Sequence, residues 1–287
     1  MENFEIEEEK LLEIFKKMNF IRNFELEAKK ACDLDFIKIP IYLSVGQESP
    51  SATISSFFKP DLIFAQHRAH SVYLAYGGDP DKLINELLGK DEGCNLGRGG
   101  SPGIKDPKIG MIGHHGLVGE NVPIGVGAAL GDNRKKILCI FGDGAAEEDY
   151  VFNAISFAFT HKLPVLFICE DNNLSILTKK SERRSWELSD ALKGIGMSAV
   201  NIPDEPELIA KYVNEFKNNL PAFINCRTCR HLWHVGTGND GPPEVDRLNI
   251  FKQELIKKGI KKEILDEIEN QTKRRVEELW NRHLQKQ

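Results

Sequence analysis

The stretch ILCIFGDGAAEEDYVFNAISFAFTHKLPVLFICEDNN, residues 137–173, decides the fold. Ile137 to Phe141 is an apolar run of strand length that stops at Gly142-Asp143-Gly144. Ala146 to about Thr160 follows with helical spacing, with Val151, Phe152, Ile155 and Phe159 on its packing side. Pro164 to Cys169 is a second strand, which runs into Asp171-Asn172. A strand, a helix and a second strand in this order build a parallel pair, and ligands of such sheets bind at the carboxyl ends of the strands. Asp143 and Asn172 therefore share one sheet edge. A carboxylate and an amide carbonyl are hard oxygen ligands suited to Mg²⁺, which takes about six oxygens, some of them from substrate phosphates. Leu174 is placed to add its backbone carbonyl. Gly142 and Gly144 let the backbone approach a phosphate, with the next helix start pointing at it. Taken alone, Asp143 reads equally as a helix cap or a turn residue; the second strand end changes that balance. A nicotinamide dinucleotide site is disfavoured, because Gly142-Asp143-Gly144-Ala145-Ala146-Glu147 lacks the final glycine and no acid follows at the required distance.

The rhythm continues on both sides. A small-residue helix is expected over Val122 to Leu130, strands over Leu62 to Ala65, Ala199 to Ile202 and Ala222 to Cys226, and helices over Ser51 to Phe58 and Pro206 to Asn218. This alternation predicts an α/β fold, a doubly wound, mostly parallel sheet. Ile6 to about Ala31 has the spacing of one or two amphipathic helices. Residues 241–244, GPPE, mark a boundary between a main domain, 1–242, and a helical extension, 243–287. The extension carries Phe251, Leu255 and Ile256 on one helix and Val276, Leu279 and Trp280 on the next; these cover the sheet or meet a partner. Residues 89–116, GKDEGCNLGRGGSPGIKDPKIGMIGHHG, form a long glycine-rich loop, either a surface loop or part of a site.

With 287 residues, 41% of them hydrophobic and 28% charged, the chain has ample material for a core. A net charge of -5 gives no footprint for nucleic acid. No uninterrupted apolar run approaches the ~18 residues of a membrane span, and the acidic start MENFEIEEEK is unlike a signal peptide. Cys226 and Cys229 form a C-x-x-C without the second pair a zinc site wants, so reduced structural thiols are the expectation, consistent with a cytoplasmic location.

The motif of residues 142–173 resembles the thiamin-diphosphate motif of 2-oxoacid dehydrogenases. It is most similar to the alpha subunit of the pyruvate, branched-chain and acetoin dehydrogenase type. VGQE at 45–48, HRAH at 67–70, GRGGSPG at 97–103, GLVGENVPIGVGAAL at 116–130 and the Arg230 to His234 segment match in order. The resemblance covers most of the chain. It implies thiamin diphosphate and Mg²⁺ as cofactors, with Asp143, Asn172 and the Leu174 carbonyl on the metal. Gly144 and Ala145 would offer amides to the diphosphate and Arg68 would grip it, a task its planar fork suits. His67 stands for a usual tyrosine. Gly116 and Val118 would hold the aminopyrimidine through backbone contacts. His234 aligns with the catalytic histidine; an ordinary histidine near a strand end is the alternative. His115 either faces the pocket as a second catalytic candidate or is, with His114, a loop histidine.

The resemblance further implies a 2-oxoacid substrate, decarboxylation, and acyl transfer, with a lipoyl acyltransferase among the possible acceptors. The activating glutamate would come from a separate beta subunit in an α₂β₂ heterotetramer. Glu48 of VGQE is expected to be structural. Three departures bear on specificity: Pro102-Gly103 replaces a Met-His pair, Tyr42 replaces a pocket histidine, and Val235 stands where animal relatives carry a phosphorylated serine. The alternatives are the N-terminal half of a split transketolase, a biosynthetic carboligase acting on sugars, and a non-catalytic nucleotide-binding scaffold.

Overall fold

In the computed structural model, which describes residues 4–113, 116–239 and 241–285, the elements run as follows. Helices α1 (Glu8–Asp33) and α2 (Glu48–Phe57) precede β1 (Leu62–Phe64), α3 (His70–Ala75), α4 (Pro80–Leu87) and β2 (Met111–Ile112). The central unit is α5 (Asn121–Gly131), β3 (Ile137–Gly142), α6 (Asp149–Thr160) and β4 (Val165–Asp171). A small hairpin, β5 (Leu174–Ser175) and β6 (Thr178–Lys179), leads through α7 (Lys180–Arg183) to α8 (Leu188–Gly194). Then come β7 (Ser198–Pro203), α9 (Pro206–Phe216), β8 (Ala222–Arg227), α10 (Arg247–Lys257) and α11 (Lys262–Leu284).

The main sheet has the order β2-β1-β3-β4-β8-β7, and every neighbouring pair is parallel. The doubly wound expectation therefore holds. Side chains along a strand point alternately to opposite faces, and here both faces are covered. Leu138, Ile140, Leu166, Ile168 and Ile224 point to the side of α1, α9 and α11. Ile137, Cys139, Phe141, Val165, Phe167 and Cys169 point to the side of α5, α6 and α8. This is why both central strands read as continuous apolar runs.

Helix α5 lies very close to the sheet. A Cβ placed on Gly125 would sit 2.4 Å from Cys139 Sγ and 3.1 Å from the Phe64 ring, so only glycine permits this approach. Helix α6 starts later than its apolar pattern suggests. A 3₁₀ turn, Ala145–Glu147, comes first, and Glu148 is extended before the helix begins. The buried stripe of α6 is Val151, Ala154, Ile155 and Ala158, with Phe152 and Phe159 only partly buried at its flanks. An i, i+3, i+4, i+7 stripe from Val151 selects the alanines, and the larger rings fall beside it.

The N-terminal segment is a single helix whose stripe of Leu11, Ile14, Phe15, Met18 and Ile21 is buried. Helices α10 and α11 pack on it. Phe251 meets Phe15 with ring centroids 6.3 Å apart, and Trp280 meets Phe24 at 5.4 Å. Glu48 is fully buried and holds the Arg22 guanidinium, which also binds Asp246 at 3.1 Å, so it ties α1, α2 and α10 together. Its structural role was the expected one. The glycine-rich loop is organised by the buried Glu86 of α4. Its carboxylate accepts backbone N–H groups from Asn95, Gly97, Gly99 and Gly100 at 2.6–2.9 Å.

Candidate functional site

A cavity of about 280 Å³ opens at the carboxyl ends of β1, β3 and β4. From the end of β3 come Asp143, Gly144 and Ala145; from the end of β4 come Asn172 and, through the hairpin, Leu174. The β1–α3 turn contributes His67 and Arg68, the segment before α5 contributes Gly116 and Val118, and the segment after β8 contributes His234. Each residue singled out in the sequence for this site lines the one cavity, except His115, which lies outside the described residues. Tyr42 and Pro102, two of the departures, line it as well.

The metal-type ligands are held firmly. Asp143 is buried, and burial followed by the neighbouring Asp171 pushes its carboxyl up, against the pull of Arg183. Its Oδ2 accepts from Arg183 Nη2 at 2.5 Å, and Arg184 donates to its backbone carbonyl at 2.9 Å. Asn172 Nδ2 donates to Gln47 Oε1 at 2.7 Å, while Asn172 Oδ1 accepts from the Leu174 N–H at 3.1 Å. This donor and acceptor pattern fixes which end of the amide is oxygen and leaves that oxygen a second lone pair. Among the described residues no three His, Cys, Asp or Glu side chains converge as a metal cluster. The Asp143 carboxylate and the Asn172 amide oxygen are of the chemical type that suits a hard cation sharing its coordination with phosphate.

The opposite wall is cationic. Arg68 is buried and donates to Leu43 O at 2.7 Å and His234 O at 2.9 Å. Burial, followed by the charge of Arg230, pushes the Arg68 guanidinium down to about 10. Arg68 lines the cavity, and a buried guanidinium there fits an anionic ligand, as a diphosphate is. The same field acts on His234: burial, then Arg68 and Arg230, push its imidazole down to about 4. His234 is therefore neutral near pH 7.

Three rings meet at the cavity. Tyr42 stands edge-on to His67 with centroids 4.7 Å apart and to His234 at 5.5 Å, and the two histidines are 5.2 Å apart. Tyr42 is positioned from behind by a buried chain of hydrogen bonds. Its backbone N–H donates to Ser101 Oγ at 2.9 Å, Ser101 pairs with His70 Nε2 at 2.8 Å, and His70 Nδ1 pairs with Glu25 Oε2 at 2.9 Å. On the wall formed by Gly116 and Val118 the Tyr150 hydroxyl donates to the Val118 carbonyl.

A model of the family described as dehydrogenase E1 component matches residues 16–205. The chain belongs to that family. A pyruvate dehydrogenase E1 component subunit alpha of Zymomonas mobilis is 27% identical over 300 residues, covering 96% of this chain and 84% of the relative. The mitochondrial alpha subunit of Solanum tuberosum is 32% identical over 233 residues, covering 78% of this chain and 60% of the relative. The alpha subunit of Rickettsia bellii is 31% identical, covering 79% and 73%. The family is thus that of the thiamin-diphosphate-dependent 2-oxoacid dehydrogenase alpha subunits, as the ordered motifs implied. Among solved structures, transketolase from Leishmania mexicana superposes with a TM-score of 0.55 at 13% identity, covering 96% of this chain and 48% of that one. Transketolase from Campylobacter jejuni gives 0.53 at 15%. The chain spans about half the length of these transketolases. At such identity the likeness shows the fold alone, and the split-transketolase alternative is not favoured.

Several members of the site escaped the sequence. Gln47 lies inside the quoted VGQE but is overshadowed by Glu48. Gln66 also lines the cavity; it donates to the buried Glu170 at 2.7 Å, and burial pushes that carboxyl up to about 7. Arg183 and Arg184 sit in KKSERR, a charged run that reads as a solvated surface.

Proposed function

We propose that this chain binds Mg²⁺–thiamin diphosphate and, with a separate beta-type chain in an α₂β₂ heterotetramer, decarboxylates a 2-oxoacid and passes the acyl unit to a lipoyl acyltransferase. The observation that carries this reading is the convergence of Asp143, Asn172 and Leu174 with Arg68, Gly116 and Val118 on one cavity. Thiamin diphosphate, when bound, would supply the electron sink that decarboxylation of a 2-oxoacid needs. The chain's own residues supply the rest. Asp143, Asn172 and the Leu174 carbonyl would hold the metal; Arg68 would grip the diphosphate; Gly144 and Ala145 would present amides beside it. Gly116 and Val118 orient the aminopyrimidine through backbone contacts. His234, a neutral imidazole beside the Arg68 guanidinium, would donate a ring N–H hydrogen bond to the substrate oxygen and so orient it. Tyr42 and His67 wall the substrate side.

Two features support a partner. Among the described residues Asp143 is the one carboxylate lining the cavity, and it serves the metal, so the activating glutamate must come from elsewhere. Leu117, Ile176, Leu177 and Trp233, at or beside the cavity lining, are 61%, 59%, 66% and 49% exposed, which suits a covering chain. A cytoplasmic location belongs to the same proposal, supported by six free cysteines. The test is co-expression with candidate beta-type chains, followed by 2-oxoacid decarboxylation assayed with an artificial electron acceptor. Formation of a heterotetramer with Mg²⁺–thiamin-dependent turnover is expected. A chain that binds neither the cofactor nor any such partner contradicts the proposal.

A further inference from the structure

Helix α7 is a single turn, yet its basic side chains reach both strand ends that carry the metal-type ligands. Lys180 Nζ pairs with Asp171 Oδ2 at 2.7 Å and with Glu187 at 2.9 Å. Arg183 pairs with Asp143 Oδ2 and with Glu147, each at 2.5 Å. Arg184 adds Glu147 at 3.1 Å and the Asp143 carbonyl at 2.9 Å. These are not surface pairs: the side chains of Arg183 and Asp143 are 12% and 2% exposed, those of Lys180 and Asp171 15% and 1%. The backbone joins in, since the Lys180 N–H donates to Asn173 O at 3.0 Å. The hairpin leading to α7 packs on the turn of β3: a Cβ on Gly144 would lie 2.8 Å from Ser175 Oγ.

Asp143 and Asp171 end adjacent parallel strands and oppose each other's charge. A buried carboxylate persists only when it is paired and hydrogen-bonded. One short helix supplies a cation to each. Because Oδ2 of Asp143 is paired with Arg183, its other oxygen is the one left for a metal. On the Asn172 side, Asp171 accepts the Asn173 N–H at 3.0 Å, so Lys180 fixes the loop that presents Asn172.

We propose that α7 is a basic staple across the ends of β3 and β4, and that Arg183 is a positioning residue which acts on the metal through Asp143. This rests on Asp143 being a metal ligand, as proposed above. The nearest competing role is the reverse one, in which Arg183 occupies the carboxylate and must be displaced by the metal. The two roles predict opposite signs.

The experiment titrates MgCl₂ calorimetrically into the full chain, with whatever partner co-purifies, at saturating thiamin diphosphate. Unfolding midpoints are measured in parallel. Arg183→Ala is expected to weaken Mg²⁺ affinity by about ten- to a hundred-fold, as loss of an outer-shell partner does, with Arg183→Lys recovering part of it. Glu182→Ala, on the same turn, should leave the affinity unchanged. Arg183→Gln keeps the length without the charge and carries the same test if the alanine variant does not fold; it too should weaken binding. Unchanged or tighter Mg²⁺ binding in Arg183→Ala or Arg183→Gln overturns the staple, as does a loss that Arg183→Lys does not reduce. Wild-type chain that binds no Mg²⁺ with thiamin diphosphate overturns the metal assignment itself, whatever the variants do.

Discussion

The side-chain amide of Asn172 is clamped by Gln47: Asn172 Nδ2 donates to Gln47 Oε1 at 2.7 Å, across 125 positions of sequence. Thr228 Oγ1 approaches the same Gln47 oxygen at 3.4 Å, so the glutamine links the ends of β4 and β8 to the start of α2. Without Gln47 the amide of Asn172 keeps only the Leu174 N–H to hold its oxygen in place. Gln47→Leu is expected to weaken Mg²⁺–thiamin diphosphate binding by roughly ten-fold. It should cost only about 1 kcal/mol of stability, the net worth of one hydrogen bond. Calorimetric titration and denaturant unfolding measure the two separately.

His234 carries a pH signature. Its folded imidazole is pushed down to about 4, below the usual value of 6.5, by burial and by Arg68 and Arg230. The unfolded chain therefore binds a proton between those values that the folded chain does not, and stability rises with pH across that window. Above about 6.5 the contribution is flat, because both states are neutral. Denaturant midpoints measured from pH 4.5 to 7 should rise less steeply in His234→Gln than in the wild type. Identical slopes would show that His234 is not depressed.

The contact between α5 and the sheet sets a steric limit at Gly125. A helical Gly→Ala exchange ordinarily gains up to about 1 kcal/mol. Here the new methyl meets Cys139 Sγ at 2.4 Å and Phe64 at 3.1 Å, atoms of the sheet itself. Overpacking of this kind costs about 1–3 kcal/mol and wins. Gly125→Ala should lower the thermal midpoint, while Gly127→Ala, where a Cβ meets nothing within 4 Å, should not.

The packing of α11 on α1 rests on Trp280, which is fully buried against Phe24 and whose indole N–H has no partner among the described atoms. Trp280→Ala should destabilise by about 3–5 kcal/mol. Trp280→Phe keeps the ring and removes an unpaired polar group, so it should cost much less. Chemical unfolding of both variants checks the order.

Much of this was legible in the sequence because it is local. An apolar run that stops at Gly142-Asp143-Gly144, and another that stops before Asn172, announce two strand ends whichever way the rest folds. Their alternation with helical patterns fixes a parallel sheet, and the parallel sheet fixes the edge where the ligands meet. What escaped is non-local or carries no periodic mark. Glu86 organises the glycine-rich loop through four backbone N–H groups, yet it looks like any surface acid on an amphipathic helix. KKSERR looks like a solvated run until the hairpin turns it back over Asp143. The late start of α6 goes with the 3₁₀ turn Ala145–Glu147, which apolar spacing does not encode.

The central claim is that Asp143 holds a metal-bound diphosphate in this cavity. It is tested most directly by calorimetric titration of thiamin diphosphate, with and without Mg²⁺, into wild-type chain and Asp143→Ala. The account predicts Mg²⁺-dependent binding to the wild type and loss of that binding in the variant, with the folded state retained by circular dichroism. Equal binding by both proteins, or binding indifferent to Mg²⁺, would contradict it.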